Sequence, residues 1–102
     1  MKTNLSNDIL IQKDAVVSKT ILKNDGGTVT LFAFDTQQSL SKHSAPFDAL
    51  LQCIEGKFAI TIDNEVHSVT KDEIILLPAN IPHAVLAEEP SKSLLVMIKV
   101  NK

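Results

Sequence analysis

Apolar and polar residues alternate with a period of two along most of this chain. No period near 3.6 persists, so the pattern predicts strands throughout and no helix. Val29, Leu31 and Ala33 share one parity, and Thr28, Thr30, Phe32 and Phe34 the other. The second half of that stretch is apolar on both faces, which predicts cover on each side. Ala49, Leu51 and Cys53 fall on one parity with Gln52 on the other, and the strand stops at Glu55-Gly56-Lys57. Phe58, Ile60 and Ile62 then alternate with Ala59 and Thr61, turn at Asp63-Asn64 and return through Val66 to Val69 as a hairpin. Val16-Val17 and Ile21-Leu22 predict an earlier strand, which ends at Asn24-Asp25-Gly26-Gly27, a turn whose residues accept or tolerate positive φ. The apolar run Leu94-Leu95-Val96-Met97-Ile98 is expected to close the sheet.

Residues 1–14 are read as an N-terminal arm. Its first eight residues are polar and expected to be mobile at the tip, and Ile9-Leu10-Ile11 supplies a short apolar patch that could pack across the body or reach a partner. Residues 15–102 are read as one domain, since no linker, repeat or low-complexity tract divides them.

Composition narrows the function. A hydrophobic fraction of 44% suits a single globular core, and a net charge of -2 gives no general attraction to nucleic acid or to an anionic membrane. All ten basic residues are lysine, so no planar fork is present for bidentate capture of a carboxylate or phosphate. The lone Cys53 cannot form an internal disulfide and fits a reducing compartment, and Ile9-Leu10-Ile11 is too short for a signal core or a membrane span. A cytoplasmic location is expected.

The suggestive chemistry lies between His43 and His83. The second of these follows a strand broken by Pro78 and Pro82, whose fixed φ aims the histidine. At these residues the chain resembles the cupin family. Laid on the family's first motif, His43 takes the first histidine and Gly56 the closing glycine. The second histidine falls on Ala45, the glutamate on Ala49 and the opening glycine on Gln37. In the second motif Pro78 and His83 match, while the two glycines fall on Asp72 and Asn80.

The resemblance covers residues 28–100 and implies an all-β antiparallel cupin β-barrel, the double-stranded β-helix or jelly-roll type, with its ligand in the mouth. Of the four residues that hold a metal in typical cupins, His43 and His83 alone carry over. A divalent ion there, whether Ni, Cu, Zn, Fe or Mn, would have two imidazole ligands, and Cu and Ni are favoured by that donor type. Asp48, Gln38 and Gln52 stand close to the lost positions. Strand alternation turns Asp48 and Gln52 away unless a bulge intervenes. His67 reads as a structural or surface residue. Cys53 reads as a small core residue, since a nucleophilic role needs a neighbouring base or cation.

Two functions are therefore expected. The first is a binding module for a small, mostly uncharged molecule, with a pocket of His43, Ala45, Ala49, Leu51, Cys53, Phe58, Ile60 and His83 in which the two histidines are polar anchors. The alternative is a metal-dependent cupin enzyme, a dioxygenase or isomerase, using His43 and His83 as ligands. A metal-free variant would employ one of them as general base. The absence of tyrosine removes the phenolic acid that some cupin-like sugar epimerases use. Because Leu31-Phe32-Ala33-Phe34 and the Leu94 run are apolar on both faces, a homodimer is expected to cover what a one-layer barrel would leave wet.

Overall fold

The computed structural model describes residues 1–100, so the last two residues of the expected 15–102 domain lie outside it. Nine strands follow one another: β1 Val16–Asn24, β2 Gly27–Phe34, β3 Ser39–His43, β4 Phe47–Glu55, β5 Lys57–Ile62, β6 Glu65–Thr70, β7 Ile74–Leu77, β8 His83–Ala87 and β9 Ser91–Lys99. Among the described residues no helix is long and apolar enough to cross a membrane.

The strands form two antiparallel sheets, of order β1-β2-β9-β4-β7 and β3-β8-β5-β6. Between them lies the core, where Phe34, Leu51, Cys53, Phe58, Ile60, Val69, Leu77, Val85 and Ala87 are buried. The Phe34 and Phe58 rings meet edge to face at 5.2 Å, a geometry that suits the aromatic quadrupole, and they tie the two sheets together. The β5–β6 hairpin pairs Phe58 with Val69 and Ile62 with Glu65, in the register that the alternation and the Asp63-Asn64 turn dictate.

The apolar run of β9 does not close the sheet. It is the central strand, paired to β2 on one side and to β4 on the other. A strand apolar on both faces has to be covered on both, and the middle of a sheet is where that happens. Its inner face, with Leu95 and Met97, packs on the core, while Leu94 turns outward into a second apolar cluster.

That second cluster explains the doubly apolar β2. Leu31 and Ala33 point outward and are fully buried with Ile54 beneath Ile9, and Leu5 and Ile11 pack beside them. Residues 4–8 of the arm form a turn beside this cluster. Asn4 Oδ1 accepts from the backbone N–H of Ser6 at 3.1 Å and of Asn7 at 2.9 Å, and Asp8 Oδ2 accepts from that of Asn4 at 2.9 Å. Lys92 Nζ donates to the Ser6 carbonyl and lies 3.2 Å from the Glu55 carboxylate. The tip expected to be mobile is a hydrogen-bonded turn anchored to the body of the molecule.

Candidate functional site

His43 ends β3 and His83 begins β8, and the register places them directly opposite one another. Their rings meet at a centroid distance of 4.5 Å with an interplanar angle of 64°. A register shift between Leu40 and His43 brings this about on the β3 side. On the β8 side the chain turns between Pro78 and Pro82 through Asn80 at φ 65°, with the Asn80 N–H donating to the Ala45 carbonyl at 2.8 Å. Asn80 is one of the positions that align with a motif glycine. Gln37, Gly56 and Asp72, the other three, have φ of 64°, 89° and 70°. All four keep the left-handed backbone that glycine favours, although glycine itself remains at one of them. At Gly56 an added Cβ would also strike Ser91 and the Pro90 carbonyl, so that glycine has no substitute.

Each histidine Nδ1 faces a backbone carbonyl, His43 that of Ser41 at 2.8 Å and His83 that of Ile81 at 3.3 Å. A carbonyl can only accept, so in both neutral rings Nδ1 carries the proton and Nε2 is left as an acceptor. Burial pushes the His83 pKa below its ordinary 6.5, and the neighbouring His43 pushes it the same way, against the opposing effect of the Ile81 carbonyl.

Beneath the pair lies a cavity of about 30 Å³. Phe32, Phe34, Leu51 and Leu95 wall it from the five-stranded sheet, with Leu77 beside them, and Leu40 and Val85 wall it from the other. Ser93 is the one polar residue below the histidines. It is fully buried, and its Oγ has no hydrogen-bond partner among the described residues. The chamber is an order of magnitude smaller than an ordinary ligand pocket of roughly 300–1,000 Å³, so it can admit one end of a molecule and no more.

Of the residues expected to line a ligand pocket, His43, Leu51 and His83 border this cavity. Phe58, Ile60, Cys53 and Ala49 instead belong to the packed core, where the Phe34–Phe58 contact fills the space that an open barrel would have left. Ala45 is half-buried and serves the β7–β8 turn through its carbonyl. The Cys53 thiol contacts the carbonyls of Glu55 and Gly56 at 3.5 and 3.7 Å. Burial raises its pKa to about 11, with the carboxylates of Glu73, Glu89, Asp72 and Glu55 adding to the effect, so it stays protonated and unreactive.

Asp48 points outward and accepts from the Ala79 N–H at 2.9 Å. The bulge in its strand falls between Cys53 and Glu55, too far along to turn it inward. Gln52 shares the outward parity, opposite Ile74 and Leu94. Gln38 is held in the β2–β3 connection by backbone bonds to Asp35 and Ala87. His67 is half-exposed on β6, opposite Ile60 of β5, and its Nε2 lies 3.7 Å from the Glu65 carboxylate. Ser93 is hard to see in the sequence because Ser91-Lys92-Ser93 resembles a polar strand end ahead of the apolar run. Its place on the inner parity of β9, with Leu95 and Met97, was the available signal.

The Cupin domain family matches residues 24–99. The chain is a cupin. A conserved protein of unknown function from Streptococcus pyogenes is 33% identical, with a TM-score of 0.93 over 100% of this chain and 90% of that one. A cupin 2 conserved barrel domain protein from Leptotrichia buccalis is 38% identical, with a TM-score of 0.92 over 95% of this chain but 47% of its own length. A cupin superfamily protein from Desulfitobacterium hafniense, 23% identical with a TM-score of 0.91 over 94% and 88% of the two chains, shares the fold. No curated protein matches this cupin.

Members of this fold commonly hold a metal, and the donor set here does not fit one held by three or four side chains. Among the described residues no three His, Cys, Asp or Glu side chains are grouped to do so. Ala45 and Ala49 stand where the missing ligands would be, and Asp48 is occupied elsewhere.

Proposed function

We propose that this cupin is a binding module for a small, mostly uncharged molecule, with His43 and His83 as its polar anchors, acting in the cytoplasm as its single free cysteine suits. The observation that carries this reading is the pair of imidazoles, each with Nδ1 tied to a carbonyl and Nε2 free to accept, set over an apolar cavity. No arginine stands in the chain and no charged side chain but the two titratable rings lines the cavity, so an anion would lose its hydration without a counter-charge. The second reading, a metal-dependent dioxygenase or isomerase, draws on the same free nitrogens, since neutral ligating histidines are oriented in this way.

Metabolite screening by thermal shift, before and after dialysis against EDTA, separates the two. The binding module keeps its ligand-induced rise in Tm after chelation and loses it in His83→Ala. Loss of ligand binding on chelation, restored by Ni or Fe, would reverse the order of the readings.

A further inference from the structure

The pocket has a second polar element that neither histidine accounts for. Ser93 lies on the inner face of β9, paired across the sheet with Phe32 and Cys53. Its side chain is fully buried, borders the cavity and has an Oγ without a hydrogen-bond partner among the described residues. Burying a hydroxyl unpaired is costly, and alanine would fill nearly the same volume without that cost. The other buried serine of the strand, Ser91, has its needs met. Its Oγ accepts from the Lys57 N–H at 2.9 Å and donates to the Glu89 carbonyl at 2.7 Å. The contrast singles out Ser93 as a group whose partner comes from outside the fold.

We infer that Ser93 is the inner hydrogen-bond partner of the bound molecule, which is uncharged and enters by a primary hydroxyl. This rests on the binding reading given above and names the ligand class for that same site. A cavity of about 30 Å³ takes a hydroxymethyl group and little besides. The walls of phenylalanine, leucine and valine exclude a carboxylate or an ammonium, which would be buried without a counter-charge. A hydroxyl can both give and take a bond with Ser93, and so meets the serine whichever way its proton turns. The rest of the molecule leaves past His43 and His83, where the free Nε2 atoms take bonds from its donors.

The test compares n-butanol with its isomer diethyl ether, equal in atoms but lacking a hydroxyl, by amide chemical shifts of the full chain. The wild type is expected to prefer the alcohol, with shifts at Phe32 and Ser93, and Ser93→Ala to weaken the alcohol about tenfold while leaving the ether unchanged. Without ligand, Ser93→Ala is expected to melt at the same temperature as the wild type or higher. Equal binding of alcohol and ether by both proteins would overturn the role of Ser93 and leave the pocket standing. So would a variant that melts several degrees lower, which would show that the hydroxyl serves the fold. No shift at the pocket with either compound would overturn the pocket reading as well.

Discussion

At Asn80 the backbone takes a conformation that most side chains resist. Left-handed φ costs an ordinary L-residue roughly 1–2 kcal/mol, and asparagine reduces that cost because its short amide tolerates the conformation. Asn80→Ala is expected to lose about 1 kcal/mol more than Asn80→Gly in urea titrations, and to loosen His83, three residues on. The same logic shows what was readable in the sequence. The motif's glycine positions could be located at Gln37, Asp72 and Asn80 from spacing alone. That these residues would hold the glycine conformation without glycine could not, because it depends on turns closed by distant carbonyls such as that of Ala45. His83 carries a pH dependence of known sign. Its folded-state pKa lies below 6.5, so the neutral ring is favoured by folding; the stability it contributes is complete above that value and is lost as the pH falls through the folded pKa. Urea midpoints measured from about pH 7 down to pH 5 are expected to fall for the wild type and to flatten in His83→Gln.

Strands declared themselves wherever one face is wet, as in β5 and β6, since alternation is then visible in one stretch of sequence. Where both faces are buried the pattern gives burial but not the identity of the cover. For β2 the cover is the N-terminal arm, and three consecutive apolar residues at positions 9–11 do not reveal which sheet they will meet. Ile9 is the arm's buried member, at 7% exposure, and Ile9→Ala is expected to cost about 2 kcal/mol, near the lower end for such truncations because the site can partly collapse. Chemical denaturation gives this directly, and a loss under about 0.5 kcal/mol would show the arm to be dispensable. The cavity was the least legible part. Periodicity placed Phe58 and Ile60 correctly on the inner face, but which inner residues fill the middle and which border the mouth is settled by ring packing between the sheets.

On the outside of the five-stranded sheet, Leu22, Val29, Val96, Leu50 and Leu76 stand in one unbroken cross-strand row. Leu22 and Leu76 at its ends are more than half exposed, as are Ile74 and Ile98 alongside. The arm covers the other end of this face and stops short of the row. We propose a second copy of the chain as its cover, since the row is continuous across all five strands and exposed at both ends. At about 25 cal/mol per Å², covering several such side chains stabilises by several kcal/mol. Light scattering on the eluting protein is expected to give twice 11.1 kDa, and Leu76→Lys to give a monomer with an unchanged strand signature in circular dichroism. An 11.1 kDa wild type at tens of micromolar would rule the dimer out.

The central place of β9 also governs how the molecule can come into being. Its partner β2 precedes it by on the order of sixty residues, and until β9 joins it to β4 the five-stranded sheet has no middle. On a ribosome the β1–β2 and β5–β6 hairpins can form as they emerge, yet the first sheet stays divided, with β1-β2 and β4-β7 apart and their apolar faces open. Acquisition of the native state is thus a single late event that waits on residues 91–99, and until it happens the row from Leu22 to Leu76 is as available to chaperones and to aggregation as it later is to a partner.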